Sequence, residues 1–195
     1  MRYRTIVADP PWPYRAKTAM PLRESLAKFR GTAAGHGSSE MLYGAMSLRD
    51  IKEMPIEKHA ADNSHLYLWT TNSFMEEAYE VARAWGFLPK TIITWTKIRK
   101  KDAQPSMKMG WYYRGATEHC LFCLRGTQRL LGPPASTALF TERLPHSVKP
   151  DEFYQMVEIQ SPAPRLELFS RQTRIGWDSW GNQAANSINL YGAAL

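Results

Sequence analysis

The sequence predicts an α/β fold with a largely parallel sheet, built as one compact domain over residues 1–195. Short runs rich in β-branched and aromatic residues alternate with amphipathic helical patterns over most of the chain. The length of 195 residues, with 44% hydrophobic content, is enough for one substantial core and short for two ordinary domains. These two observations together favour a single layered domain over an all-helical or all-β one.

Five segments have the length and composition of β-strands. Each is a short apolar run of β-branched and aromatic residues, and each is bounded by Gly, Pro or polar turn residues. The predicted strands cover residues 4–8, 65–70, 91–95, 119–124 and 165–169.

Three segments between these strands have helical periodicity. The first, SLRDIKEM, opens on Ser47, a residue type that caps helix N-termini. The second, FMEEAYEVARAWGF, follows Asn72 and Ser73 and ends at Gly86, and the third is KPDEFYQMVEIQ. Because ligands of parallel α/β sheets bind at the carboxyl ends of the strands, we expect the functional site at that edge.

Three long stretches, residues 13–40, 99–114 and 126–149, fit neither pattern and are predicted to be loops. Loops of this length in a compact domain are usually functional or disordered. They carry Arg, Lys, His, Trp and Tyr among Gly, Ser and Pro, and the whole chain has a formal net charge of +7. A basic protein favours polyanionic partners, so these loops are the candidate substrate surface.

The two cysteines, Cys120 and Cys123, lie in the apolar run HCLFCLRG. The spacing fits a redox pair or half of a zinc site, but no second Cys or His pair follows at ligand spacing. A strand also directs residues three apart to opposite faces, so we expect buried structural thiols and no metal site. The apolar stretches are too short to span a membrane, and the N-terminal residues lack the apolar region of a signal peptide, so no membrane partner is expected.

The string Asp9-Pro10-Pro11-Trp12 stands directly after the first predicted strand. A given four-residue string occurs by chance in about one in a thousand chains of this length, and less often at a strand end. A structural interpretation remains open, in which the prolines end the strand and Trp12 packs on the core.

The string and its strand resemble the catalytic motif of the DPPW adenine methyltransferases, a family that includes the messenger-RNA adenosine methyltransferase and many phage and bacterial enzymes. The segments LYGAMSLRDI, LYLWTTN, ITWTKIRK and EHCLFCLRG follow in the family's order and spacing. The segments HSVKPDEFYQMVE, RLELFSR and WGNQ are similar to its cofactor-binding half, so the resemblance covers residues 3–183.

The resemblance implies a Rossmann-like fold with a mostly parallel, seven-stranded sheet and a permuted order, in which the catalytic motif precedes the cofactor motif. It implies S-adenosyl-L-methionine as cofactor and transfer of its methyl group to N6 of an extruded adenine. DNA is the preferred substrate, because the compact chain without zinc fingers is most similar to the phage and bacterial branch of the family. The same similarity implies that the protein acts in the cytoplasm of a bacterium or of a phage-infected host. RNA adenosine methylation and a non-catalytic nucleic-acid-binding subunit are the alternatives, and a homodimer or a related partner subunit is open.

The amine of adenine is a poor nucleophile, because its lone pair is delocalised into the ring. The Asp9 carboxylate and the Pro10 carbonyl can each accept one amine hydrogen and so direct the lone pair at a methyl donor. Trp12 can offer a face on which the base stacks. The resemblance therefore assigns the catalytic role to Asp9, Pro10, Pro11 and Trp12.

The resemblance also assigns binding residues. Lys149 meets the methionine carboxylate of the cofactor, and Asp9 lies near its amino group. A solvated loop charge at Lys149, and simple capping of the last turn by the pair after Gly181, remain alternatives, and the adenine pocket is unassigned. The assigned cofactor residues are Asp9, Lys149, Glu167, Phe169, Ser170, Arg171, Thr173, Asn182 and Gln183. The assigned substrate residues are Trp12, Tyr43, Lys97, Trp111 and Tyr112, although the aromatic residues 111–113 could also belong to the core.

Overall fold

The computed structural model describes residues 1–13, 46–107, 112–145 and 148–191. In chain order the strands are β1 (Tyr3–Ala8), β2 (Ala60–Thr70), β3 (Leu88–Ile98), β4 (Thr117–Arg125), β5 (Ala138–Glu142), β6 (Arg165–Leu168) and β7 (Trp177–Trp180). The helices are α1 (Leu48–Glu53), α2 (Ile56–His59), α3 (Met75–Ala84) and α4 (Asp151–Gln160), with a 3-10 turn at Asn72–Phe74 before α3.

Within these described ranges the seven strands form one sheet in the order β5-β3-β4-β2-β1-β6-β7. β1 pairs in parallel with β2 and β6, β6 with β7, and β3 with β5. Only β4 among them runs against its two neighbours, β2 and β3. The predicted α/β fold with a mostly parallel, seven-stranded sheet is confirmed.

Two strands correct the sequence prediction. The stretch 126–149, predicted to be a loop, contains β5, and the four residues of β7 were not predicted as a strand. β5 pairs only with β3 at the edge of the sheet, and one of its five residues is buried. An edge strand of this kind carries little of the buried periodicity by which strands are recognised. β2, β3 and β4 are also longer than predicted.

The sheet divides the core into two layers. Ile6, Leu68 and Cys123 pack in the layer that also contains α1 and α3, whereas Val7 and Cys120 belong to the layer under α4. This division follows from the two-residue side-chain period of a strand. The two cysteines are free and buried on opposite faces, as predicted. Burial raises the pKa of both thiols, that of Cys123 to about 12, which keeps them protonated and unreactive.

The predicted helix boundaries follow from identifiable end signals. The Ser47 hydroxyl accepts the backbone N–H of Asp50 at 3.1 Å and begins α1. Gly86, with φ of 81°, ends the segment after α3 in the left-handed region that favours glycine. No helix in the described part of the chain combines the length and the hydropathy that crossing a bilayer requires.

A buried polar relay connects β2 to the end of α4. The Nε2 atom of His65 lies 3.1 Å from the carbonyl of Gln128, which can only accept, so this nitrogen carries the hydrogen. Nδ1 therefore accepts from the Ser161 hydroxyl at 2.7 Å, and the Tyr67 hydroxyl donates to Ser161 Oγ at 2.8 Å. Each hydrogen-bond donor in this relay has an acceptor only while the His65 side chain is neutral. Burial lowers the pKa of His65 in agreement with this arrangement.

We expect the protein to lose stability as the pH falls below about 6.5, the unfolded pKa of histidine. The unfolded state binds the proton first, because the folded pKa is the lower one, so each pH unit costs at most about 1.4 kcal/mol per such group. Urea unfolding of the parent and of His65→Gln between pH 7.5 and 5.5 measures this dependence, with His119→Gln as the control for the second histidine whose pKa burial lowers. An unchanged pH slope in His65→Gln would contradict the relay.

Candidate active site

Asp9 follows the last residue of β1 at the carboxyl edge of the sheet. In the parallel registers, Ala8 pairs with Leu68 of β2 and with Leu168 of β6. β1 and β6 therefore end at the same level, and β2 continues two residues further, to Thr70. Residues two apart in a strand share a face, and Asp9 therefore lies on the same face as Val7, under α4. The site is built where the fold class predicts a ligand.

A row of four alternating charges crosses this edge. The Lys149 ammonium lies 2.7 Å from Asp9 Oδ2 and 3.2 Å from Glu118 Oε2. The other oxygen of Glu118 accepts from the Lys97 ammonium. One face of the sheet carries Asp9, directly after β1, together with Glu118 in β4 and Lys97 in β3. Lys149 reaches them from the segment before α4. Neighbouring charges in the row are of opposite sign, so each stabilises the next.

Burial makes these charge pairs strong. The Lys149 side chain is 8% exposed, which by itself favours the neutral amine, but the carboxylates of Asp9 and Glu118 outweigh burial and raise its pKa. Burial of Glu118 likewise opposes ionisation, yet the charges of Lys149 and Lys97 hold its pKa at about 2. Lys149 also lies 5.0 Å from the centre of the Trp69 ring, which favours a cation. The site therefore holds a fixed ammonium at neutral pH.

Lys97 corrects an expectation. The resemblance assigns it to the substrate surface, but its residue is 7% exposed and its ammonium is bound to Glu118. The ammonium also lies 4.4 Å from the centre of the Trp95 ring. Because it is held inside the charged row, Lys97 orients Glu118 and does not face a nucleic acid in this structure.

A pocket opens beside Asp9 toward β6. Its wall includes Glu167, whose carboxylate accepts from the Tyr154 hydroxyl at 2.5 Å. Burial raises the pKa of Glu167, and the hydrogen bond from Tyr154 and the charge of Arg174 oppose that rise. The Arg174 guanidinium lies 3.8 Å from the centre of the Tyr154 ring and pairs with Asp151 at 2.9 Å. The pocket is lined by Val7, Asp9, Trp69, Val148, Lys149, Tyr154, Glu167, Phe169, Arg171 and Gln172.

The turn after β6 forms the floor of this pocket. Phe169 has φ of 62°, in the left-handed region, which ends β6 at Leu168 and corrects the predicted strand end at residue 169. The N–H of Ser170 then donates to the carbonyl of Trp180 at 3.1 Å. A Cβ on Gly181 would lie 2.2 Å from the Ser170 carbonyl oxygen, so this close approach of the two turns requires glycine.

The Pro-Pro segment is fixed by backbone hydrogen bonds. The carbonyl of Pro10 accepts the N–H of Trp12 at 2.9 Å, and the carbonyl of Pro11 accepts the N–H of Met46 at 3.1 Å. A carbonyl oxygen has two lone pairs, so the Pro10 oxygen keeps capacity for a second hydrogen. The position of this oxygen is therefore set before any ligand arrives.

Trp12 corrects a second expectation. Its residue is 4% exposed, its ring stacks on Phe74 at 5.7 Å between centroids, and its Nε1 donates to the carbonyl of Trp69 at 3.1 Å. It packs in the core layer that contains α1 and α3, on the other face of the sheet from Asp9. A buried ring has no face open to a base, so the structure makes Trp12 the anchor that fixes the Pro-Pro turn.

The other assigned residues are spread over the same edge. Arg171 lines the pocket, and Ser170 is buried under it with its hydroxyl on the carbonyl of Gln172 at 2.6 Å. Thr173, Asn182 and Gln183 are exposed in the segments after β6 and β7. Tyr112 is 91% exposed and is not a core residue. Tyr43 and Trp111 lie outside the described residues.

Sequence reasoning missed three members of the site: Glu118, Tyr154 and Arg174. Glu118 had a local signal, because a charged residue two positions before the buried Cys120 must share its face. Tyr154 and Arg174 had none, since each acts through a partner distant in the chain. Within the described ranges, no group of three or more His, Cys, Asp or Glu side chains could hold a metal ion.

Replacing Glu118 by Gln is expected to lower the free energy of unfolding by about 3 kcal/mol, because two buried ammonium groups lose the carboxylate that they share. Chemical unfolding at pH 7 measures the loss. The matched control is Glu57→Gln, which breaks the 3.1 Å pair of an exposed glutamate with Arg125 and should cost less than about 1 kcal/mol. Equal losses in the two variants would show that the buried row contributes no more than a surface pair.

The sequence model of the MT-A70 family matches residues 3–183, which contain every strand and helix of the described fold. The chain belongs to the MT-A70 family. This is a family of adenine N6-methyltransferases with S-adenosylmethionine as methyl donor, and its Rossmann-like methyltransferase fold agrees with the seven-stranded sheet.

Relatives within the MT-A70 family differ in length. The chain is 28% identical to the type II methyltransferase M.MunI of Mycoplasma sp, over 92% of this chain and 77% of that protein. It is 28% identical to a putative N(6)-adenosine-methyltransferase MT-A70-like protein of Medicago truncatula, over 93% of this chain and 26% of the relative. It is 26% identical to the N(6)-adenosine-methyltransferase catalytic subunit METTL3 of Homo sapiens, over 93% of this chain and 28% of that subunit.

Proposed function

We propose that this MT-A70 protein is an S-adenosylmethionine-dependent methyltransferase that modifies N6 of adenine in DNA. The observation that carries the proposal is the position of Asp9, which pairs with a buried ammonium on one side and borders the Glu167 pocket on the other. A carboxylate between a ligand pocket and the carboxyl edge of the sheet can contact a donor and an acceptor at the same time.

The side chains of the pocket support S-adenosylmethionine as its ligand. An ammonium has three donors, and two of those on Lys149 meet Asp9 and Glu118, which leaves capacity for the methionine carboxylate. Glu167 offers acceptors for ribose hydroxyls, and Phe169 supplies an apolar wall. When bound, the cofactor supplies an electrophilic methyl group on its sulfonium. Ser170, Arg171, Thr173, Asn182 and Gln183 are the further residues that we assign to it.

The chemistry of this chain is mainly orientation. Lys149 holds one oxygen of Asp9, so the carboxylate can direct its other oxygen at one hydrogen of the adenine amine. The Pro10 carbonyl, fixed by the Trp12 N–H, accepts the second hydrogen. With both hydrogens held, the nitrogen lone pair points away from them and toward the donor pocket. The proton that the methylated amine sheds passes to the Asp9 carboxylate and then to water.

DNA is preferred over RNA because of the lengths of the relatives. The chain spans a much larger share of M.MunI, named a type II methyltransferase, than of METTL3. The net charge of +7 supports a nucleic-acid substrate of either kind and does not distinguish DNA from RNA. RNA is the second candidate, because METTL3 and the plant relatives are named adenosine methyltransferases. We further propose that residues 1–195 act as one domain in the cytoplasm of a bacterium or of a phage-infected host, alone, as a homodimer or with a related partner subunit.

Transfer of labelled methyl from S-adenosylmethionine to matched DNA and RNA oligonucleotides tests the proposal. Both pools have the same sequences, are offered single- and double-stranded, and are digested to nucleosides afterwards. We expect label in 6-methyldeoxyadenosine. Label in 6-methyladenosine alone would transfer the function to RNA, and binding of cofactor without label in either pool would favour a non-catalytic subunit.

A further inference from the structure

A basic turn lies next to the active-site edge, where β3 ends. The N–H of Arg99 donates to the carbonyl of Gln104 at 2.9 Å, and the N–H of Ser106 donates to the carbonyl of Lys97 at 2.6 Å, which closes a short turn. Lys100 and Lys101 occupy the exposed tip of this turn. The N–H of Arg143, directly after β5, donates to the carbonyl of Ile98 at 3.2 Å and brings a third exposed cation beside them.

Two tyrosines stand in solvent beside this turn. Tyr112 is 91% exposed and Tyr113 is 92% exposed. They precede β4 by a few residues, and the carbonyl of Ala116 accepts the Lys97 N–H at 2.9 Å, so the segment is attached to the end of β3. Two adjacent aromatic rings that are both almost fully exposed are unusual on a protein surface and are typical of a surface that stacks on a ligand.

The surface has an excess of positive charge. We call it the basic aromatic surface, and define it as residues 99–106, 112–116 and 142–143. It has five basic side chains and two acidic ones, for a net charge of +3 within these residues. The basic residues are Arg99, Lys100, Lys101, Arg114 and Arg143, and the acidic residues are Asp102 and Glu142.

We propose that the basic aromatic surface binds the unpaired strand that flanks the target adenine. The inference rests on the proposed function and specifies the state of its substrate. A duplex covers the faces of its bases and presents phosphates, so it could use the lysines but not the tyrosines. Unpaired bases can stack on Tyr112 and Tyr113 while Lys100 and Lys101 contact the phosphates.

The order of the β-strands sets the length of nucleic acid that can reach from Asp9 to the basic aromatic surface. β3 is three strand spacings from β1 and β5 is four, or about 14 and 19 Å at 4.7–4.9 Å per spacing. At the rise of about 3.4 Å per nucleotide of a stacked, duplex-like strand, this span corresponds to at most about four to six nucleotides beside the target. Affinity should therefore rise with flank length up to about six nucleotides and then level off.

The first experiment compares the parent with Tyr112→Ala/Tyr113→Ala. Fluorescence anisotropy measures binding to a single-stranded DNA 20-mer with a central adenine, to the matching blunt duplex and to single strands with shorter flanks. Stacking on two rings predicts a loss of at least about tenfold in affinity for the single strand. Affinity for the duplex should change less than threefold, and the flank-length dependence should disappear.

The second experiment tests the phosphate contacts with Lys100→Ala/Lys101→Ala. Each lost phosphate contact reduces the slope of log affinity against log salt by about 0.7 for a single strand, so we expect a reduction of about 1.4. Lys58→Ala/Lys90→Ala is the matched control, because these exposed lysines lie at the opposite edge, before β2 and early in β3. Its slope should equal that of the parent.

The outcomes separate this inference from the proposed function. If the parent methylates adenine but the tyrosine variant binds the single strand as tightly as the parent does, the basic aromatic surface does not bind that strand by stacking. The proposed function then stands and this inference is wrong. Equal losses for single strand and duplex also overturn it, since they indicate phosphate contacts without stacking. If the parent binds cofactor but methylates no oligonucleotide, the proposed function fails first. Circular dichroism confirms that each variant is folded.

Discussion

Asp9→Ala is expected to abolish methyl transfer while the protein remains folded. The variant removes the acceptor that orients the adenine amine, and loss of positioning of this kind lowers kcat/KM by at least about a hundredfold. Lys149 keeps Glu118 as a charged partner, so we expect the free energy of unfolding to fall by only about 1–3 kcal/mol. Radiolabel transfer and chemical unfolding, measured on the same preparation, separate the two effects.

Two controls sharpen this test. Asp9→Asn keeps the shape and one carbonyl acceptor, so its activity should lie between those of the parent and the alanine variant. Asp62→Ala removes an exposed carboxylate that pairs with Arg2 at 2.9 Å, and it should leave activity unchanged. Activity of Asp9→Ala within tenfold of the parent would remove Asp9 from the catalytic role.

Lys149→Ala is expected to weaken cofactor binding more than nucleic-acid binding. The lost ammonium is the charged donor assigned to the methionine carboxylate, and a charge-assisted hydrogen bond contributes about 1.5–3 kcal/mol, or at least about tenfold in Kd. Glu118 keeps Lys97 as its partner, but Asp9 loses the ion pair that orients it, so kcat should fall as well. Calorimetry with S-adenosylmethionine measures the first effect directly.

The control is Lys90→Ala at the opposite edge of the sheet, which should change neither affinity. Nucleic-acid affinity of Lys149→Ala should remain within threefold of the parent, because its buried side chain offers nothing to a phosphate backbone. Unchanged cofactor affinity would show that Lys149 only orients the two carboxylates.

Much of the fold could be predicted because its signals are local. Strand composition, the Ser47 cap and the left-handed Gly86 each report on hydrogen bonds or backbone geometry within a few residues. The two-residue period of a strand also gave the opposite faces of Cys120 and Cys123. β5 was not predicted from the sequence. An edge strand with a neighbour on one side only does not need the alternation of buried and exposed residues by which strands are recognised.

Some features of the site were visible in the sequence, whereas others depend on contacts between distant segments. The sequence was sufficient to show that a carboxylate follows a strand at the binding edge, and the match over residues 3–183 was sufficient to show the family. Which charges form pairs could not be read from the sequence, because the paired residues come from distant segments and their pairing depends on strand order. These residues are Asp9, Lys97, Glu118 and Lys149. The burial of Trp12 against Phe74 could not be read from the sequence either. It depends on which residues the fold brings to the face of the sheet that α1 and α3 cover. Local periodicity records what a residue does within its own element, whereas electrostatic and packing energies depend on distances between elements.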